Sequence, residues 1–328
     1  MDESLLVIPE VPAQQTVNST VEGDDRGVLF GAGAYILWGI FPLYFHMLAP
    51  ASAGEILAHR MIWSLVFCAI AWLVIRDLSW VKDLFAEPRR FFLLVTAAVF
   101  LAINWAVYIY AITIGNIVEG SLGYFINPLF LVLMGVFLLH ERLRMMQWIA
   151  VGVGAVAVLV IAFDYGRPPW IALALALSFS SYGFIKKKVG PGIGALASMT
   201  TETVVQAPFA LAILIWLETT GRGTFSQDAP WHGLGLVGTG IITAFPLVMF
   251  AAAARRVPLT TMGLLQFLTP ILQLICGVVV LGERVPATRW IGFGLVWVAL
   301  VLLTVDSLQA ANRRGQVRRA EAAASALS

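Results

Sequence analysis

Five stretches of this sequence contain no Asp, Glu, Lys or Arg: 27–54, 91–118, 120–140, 229–254 and 257–282. A helix crosses the hydrocarbon core of a bilayer in ~20 apolar residues. Each stretch is therefore long enough to span a membrane, and together they leave little of the chain for any other solvent. Charged residues make up 12% of the sequence, against about 25% in soluble domains. Because the mean hydropathy of +0.86 is spread along the whole chain, a secreted domain with one anchor, a disordered protein and a nucleic-acid binder are all excluded. The first 26 residues carry six acids against Arg26 and no basic start beside an apolar core, so no cleavable signal peptide is expected. Cys68 and Cys276 lie in apolar runs and read as small buried side chains, not as a disulfide framework or a zinc site.

Apolar runs between charge and Pro/Gly punctuation give ten spans, at about 27–48, 52–75, 91–113, 117–140, 146–163, 168–185, 194–217, 232–254, 259–281 and 288–306. The expected fold is an all-α polytopic membrane protein. Of the 21 Lys and Arg residues, alternate loops place sixteen on one side and four, Arg167, Arg222, Arg284 and Arg289, on the other; Arg60 falls inside a span. The positive-inside rule then puts both termini in the cytoplasm of a multi-pass plasma-membrane protein. Residues 1–26 are expected to form a disordered N-terminal tail and 308–328 a basic, disordered C-terminal tail.

Shifting 117–160 by 142 positions onto 259–302 gives thirteen identities in 44 positions without a gap, among them Pro128 with Pro270, Glu141 with Glu283, Arg142 with Arg284 and Trp148 with Trp290. Chance in so biased a composition gives roughly one in ten. The chain thus divides into two five-helix repeats, 27–163 and 164–307. Five is odd, so the second repeat enters the membrane inverted, as in many secondary transporters.

Two equivalent spans contain ionisable residues: Glu55, His59 and Arg60 in the second, Glu202 in the seventh. Such groups cost about 2.5–3.5 kcal/mol each on insertion scales and face a bundle interior or a water-filled cavity. They read either as a charged binding pocket or proton site, or as ion pairs that tie helices together. Glu119 opens the fourth span, where a carboxylate also favours its helix N-terminus. Asn104, Trp105 and Tyr108, then Tyr124 and Asn127, then Gln266 and Gln273 recur at spacings that keep each set on one helix face. They fit a small-molecule cavity and interhelical hydrogen bonding equally well. Pro128 and Pro270 form a matched pair of hinge candidates. Lys186, Lys187 and Lys188 are explained by topology and are assigned no ligand. No G-x-S-x-G, H-E-x-x-H, Walker A or Cys/His metal spacing occurs in the sequence.

The stretch from Gly33, G-A-Y-I-L-W-G-I-F-P-L-Y-F, then P-A-S-A-G-E-I-L-A-H-R-M-I-W-S, resembles RarD-type permeases of the EamA-like branch of the drug/metabolite transporter superfamily. I-N-W at 103–105, E-G-S-L-G-Y-F-I-N-P at 119–128, E-R-L at 141–143, W-I-A-L-A-L-A-L-S-F-S-S-Y-G at 170–183 and A-A-A-R-R-V-P-L-T-T-M-G-L-L-Q-F at 252–267 extend the likeness from about Gly27 to Asp306. The resemblance implies ten helices in an inverted five-plus-five repeat and a central cavity lined mainly by spans 1–4 and 6–9. It further implies peripheral spans 5 and 10 that serve as homodimer contacts, and transport driven by an ion gradient or by exchange. Such proteins are commonly labelled drug-resistance permeases. Matching polar positions are Glu55, His59, Arg60, Asn104, Trp105, Glu119, Tyr124, Asn127, Glu202 and Gln266; Tyr35 and Trp38 in the opening stretch are counted with Tyr108 and Gln273 as substrate-binding candidates. Thr269 stands where relatives are expected to have Ala, and Leu268 where the first half has Ile126.

The leading expectation is a secondary transporter for a small polar or amphipathic metabolite or drug, partnered by the lipid bilayer and a coupling proton or ion, with no cofactor, metal or nucleic acid. An intramembrane enzyme acting on a lipid-soluble substrate and a membrane-embedded sensor are the alternatives. Single cysteines at 141 and 283, on a background lacking Cys68 and Cys276, are expected to react with an impermeant thiol reagent from the cytoplasm and from outside, respectively. Labelling of both from one face ends the inverted-repeat reading.

Overall fold

The computed structural model describes residues 25–139, 143–189, 193–226, 230–254, 256 and 265–325. The N-terminal tail up to residue 24, the Glu141-Arg142 corner and the first part of the ninth expected span lie outside them. All described elements are helical: α1 Asp25–Gly39, α2 Phe41–Met47, α3 Ala53–Ile75, α4 Ser79–Ala86, α5 Pro88–Thr113, α6 Ile117–Leu139, α7 Met145–Tyr165, α8 Trp170–Val189, α9 Ala195–Thr219, α10 Pro230–Ala254, α11 Leu268–Ile275 followed by a π-helical turn Cys276–Val280, and α12 Ala287–Ser325. Hydrocarbon offers backbone groups no partner, so an apolar segment must close its hydrogen bonds within itself. Eight segments are long and apolar enough to cross a membrane, while Trp170–Lys186 and Leu268–Val280 are apolar but shorter. Large apolar side chains such as Leu73, Val74, Phe137 and Phe163 cover the outside of the bundle. A surface of that kind matches lipid rather than water.

Repeat-equivalent helices pack antiparallel. The end of α3 meets the start of α9 where Trp72 Nε1 donates to Thr200 Oγ1 at 2.8 Å. The start of α6 meets the residues that follow the π-turn, where Glu283 Oε2 accepts the Val118 N–H at 3.0 Å. Burial pushes the Glu283 carboxyl above its usual range, and the Val118 N–H partly opposes that shift. Helices α7 and α12 are clasped at both ends: Arg144 Nε donates to Asp306 at 2.9 Å, and Arg289 Nε to Asp164 at 2.6 Å. Gly123 lets α6 approach α8, since a Cβ there would stand 2.9 Å from the Ala172 carbonyl.

One helix is broken by design of its sequence. Pro42 has no N–H for the Trp38 carbonyl four residues earlier, and Leu43 N turns back to Ile40 instead. The carbonyls left over at the end of α1 are met from the second half: Gln273 Nε2 of α11 donates to Trp38 O at 3.4 Å and Cys276 Sγ of the π-turn approaches Gly39 O at 3.8 Å, while Thr269 Oγ1 adds a bond to Tyr35 O at 2.8 Å. The departure Thr269 thus supplies a hydrogen bond that an Ala would not.

Three sequence expectations need correction. The loop after the second span contains α4, whose Trp80, Val81, Leu84 and Phe85 fall on a helical period; Leu84 is buried and Trp80 packs against Trp72. The C-terminal residues read as disordered continue α12 to Ser325, because a run rich in Ala, Arg, Gln and Glu has high helix propensity and no proline interrupts it. Pro128 lies inside α6, whereas Pro270 lies in the first turn of α11. Leu265 is helical and Gln266 and Phe267 form a turn before α11, so a break in the backbone precedes Pro270, whereas the helix around Pro128 is continuous.

Candidate functional site

Helices α1, α2, α3, α5, α6 and α8 to α11 surround a cavity of about 820 Å³. None of its described lining comes from α4, α7 or α12. Its centre of charge is Arg60, which α3 carries at 4% exposure. The guanidinium lies 4.1 Å from the Trp105 ring centroid, 5.5 Å from Phe41 and 5.6 Å from Phe45. Aromatic faces stabilise a desolvated guanidinium, but they accept none of its N–H bonds. Among the described residues Arg60 forms no ion pair, and its Nε has no hydrogen-bond partner.

The amide and aromatic candidates converge on the same space. Tyr35 and Trp38 from α1, Asn104, Trp105 and Tyr108 from α5, and Tyr124 and Asn127 from α6 all line the cavity. Gln266 and Gln273 complete it from the second half. Several of these groups are also engaged in holding the bundle. Asn104 Nδ2 donates to Leu175 O at 3.2 Å and Ser178 Oγ at 3.1 Å, and its Oδ1 accepts from the Tyr124 hydroxyl at 3.1 Å. Asn127 Oδ1 accepts from Ser180 Oγ at 2.6 Å. Tyr108 is buried beside Gln273.

Glu202 also lines the cavity, and here the reading of Lys186 as a topological charge alone is corrected. Lys186 Nζ lies 2.7 Å from Glu202 Oε1 and also contacts Ser198 Oγ. The Tyr182 hydroxyl donates to Glu202 Oε2 at 3.3 Å. Lys186 is one helical turn from Tyr182, a spacing visible in the sequence but masked by the basic loop that follows it.

Three predicted residues are outside the lining. Glu55 Oε1 accepts the backbone N–H of Thr224 at 2.6 Å and of Phe225 at 3.2 Å, fastening the α9–α10 connection to the start of α3. His59 stacks on Phe225 at 4.8 Å and accepts from Trp63 Nε1 at 3.2 Å. Glu119 is buried against the start of α8, where it pairs with Arg167 at 2.9 Å and accepts the Ile171 N–H at 3.1 Å. These contacts explain all three as fasteners between helices.

A bundle with two equivalent halves around a cavity that holds buried charges narrows the comparison to membrane carriers. The sequence profile of the EamA-like transporter family matches twice in tandem, over 25–163 and 168–305. The chain belongs to that family. A relative of this EamA-like transporter from Streptomyces exfoliatus, named Protein RarD, is 49% identical over 293 residues, which covers 89% of this chain and 92% of the relative. An uncharacterized transporter from Pseudomonas aeruginosa is 38% identical over 294 residues, covering 89% and 97%. A solved crystal structure shares the fold at a TM-score of 0.56 and 18% identity, covering 85% of this chain and 97% of that one. The EamA-like transporter is accordingly an integral, multi-pass membrane protein whose relatives are named transporters.

In this EamA-like transporter, the pairing of Lys186 with Glu202 predicts a sign that a surface ion pair would not give. Lys186→Met leaves a buried carboxylate unpaired and is expected to lower the melting temperature of the purified protein, whereas Lys186→Met with Glu202→Gln is expected to recover most of the loss. Equal melting of both variants contradicts a coupled pair.

Proposed function

We propose that this chain is a secondary active transporter that moves a small polar or amphipathic metabolite or drug by alternating access, with the cavity as the substrate site. The observation that carries the reading is Arg60: a buried, unpaired guanidinium facing a cavity built from both repeats. A bundle that only needed to hold together would give such a group a carboxylate or cover it with apolar packing. The volume falls within the range of small-molecule sites.

The cavity lining reaches the α8–α9 connection at Val189, Ile193 and Gly194 and includes no described residue of the α9–α10 connection. With both termini in the cytoplasm, the first connection is cytoplasmic and the second external, so this conformation is open inward. The external side is closed by Glu55 holding Thr224 and Phe225, and by Phe225 on His59. Opening outward means releasing that clamp while the cytoplasmic ends of α8 and α9 close over Lys186 and Glu202. Glu202 is the group we assign to coupling, by protonation or by exchange of its partner. Pro128, inside the unbroken α6, and Pro270, just after the turn at Gln266 and Phe267 that follows helical Leu265, are the hinge candidates.

The test begins with metabolites that raise the melting temperature of the purified protein, followed by flux of those compounds into proteoliposomes. On a background without Cys68 and Cys276, a bulky thiol reagent on Ala195→Cys, at the mouth, is expected to abolish that flux, and the same reagent on Gly152→Cys, on the outer surface of α7, to leave it intact. Undiminished flux after full labelling at 195 contradicts the pathway.

A further inference from the structure

We infer that the substrate is a monoanion with a planar apolar body, its carboxylate held by Arg60; the inference rests on the cavity being the substrate site. Trp105, Phe41 and Phe45 surround the guanidinium, with ring centroids 4.1, 5.5 and 5.6 Å away. Rings accept none of its N–H bonds, and its planar N–H fork matches the two oxygens of a carboxylate. The Arg60 side chain lines the cavity and forms no ion pair among the described residues, so a bound carboxylate would supply the charged partner it lacks. Tyr108, one turn from Trp105 on α5, lines the same cavity.

The charge balance selects the number of negative charges. Besides Arg60, the charged groups of the described lining are Lys186 and Glu202, which neutralise each other at 2.7 Å. One positive charge is left over. A phosphate monoester, at about −1.5 to −2, would overshoot it inside a medium that penalises unbalanced charge. An ammonium group finds no open carboxylate, because Glu202 already receives Lys186, Ser198 and Tyr182. Much of the rest of the wall is aromatic: Trp38 and Phe250 lie tilted against each other at 5.8 Å, and Phe179 packs edge-on against Tyr124 at 5.9 Å. Flat apolar surfaces of this kind suit a ring or conjugated chain.

The test is a binding titration of the purified full-length protein, read by intrinsic tryptophan fluorescence with the melting temperature as a second signal. The probes are 3-phenylpropanoate, its amide 3-phenylpropanamide, and phenylalanine. The acid is expected to bind about tenfold to a hundredfold more tightly than the amide, and phenylalanine no more tightly than the acid. Arg60→Gln should remove the preference for the acid, and Arg60→Lys should retain part of it, since the charge stays and the fork is lost. The comparison of acid with amide on the unaltered protein stands even if a variant folds poorly. Equal binding of acid and amide overturns the inference, as does binding of none of the three. Flux separates the two proposals: an acid that binds but is not carried into proteoliposomes overturns transport and leaves the anion site, whereas a neutral compound carried as well as the acid overturns the anion site and leaves transport.

Discussion

A guanidinium on a membrane-spanning helix has to be accommodated, and much of this fold is arranged around that requirement. Insertion scales put an Arg at the middle of a span at about 2.5–3.5 kcal/mol, and a single desolvated cation–π contact returns up to about 2. Arg60 therefore needs several rings, and it has three, from two helices. Two of them, Phe41 and Phe45, are on α2, which exists as a separate helix because Pro42 breaks the first span. The break frees carbonyls at Trp38 and Gly39, and those carbonyls are satisfied by Gln273 and Cys276 from the second repeat. One buried charge thus links the broken first helix, the aromatic face of α5 and the far half of the chain.

The same arrangement leaves freedom where transport requires it. Helices α7 and α12 are clasped at both ends by buried or half-buried ion pairs and take no part in the cavity. The cavity helices are joined by single ion pairs, hydrogen bonds and ring contacts, such as Lys186 with Glu202, Glu55 on the backbone of Thr224 and Phe225, and Trp72 on Thr200.

The repeat, the apolar helices, eight of them among the described residues long enough to cross a membrane, and most of the cavity lining are legible in the sequence because lipid allows few solutions: long uncharged runs must be helices, and a polar residue inside one must face something polar. Asn104, Tyr124 and Glu202 were found on those grounds. Glu55 and His59 were read beside Arg60 by their spacing on one helix, but the α9–α10 connection that captures them is about 170 residues away in sequence and leaves no periodic signal. Lys186 was hidden by Lys187 and Lys188, since topology accounts for all three equally well. The difference between Pro128 and Pro270 depends on where a helix begins, which aligned sequence alone does not determine.

The central claim, that one cavity around Arg60 opens alternately to the two faces, is tested most directly by a single cysteine at Leu247, a lining position on α10. In vesicles of defined orientation, on a background without Cys68 and Cys276, impermeant reagent is predicted to reach it readily from the cytoplasmic face and slowly from outside. Glu55→Gln, which weakens the external clamp, is predicted to raise the outside rate and lower the cytoplasmic one. Labelling from a single face, unchanged by Glu55→Gln, would contradict the account.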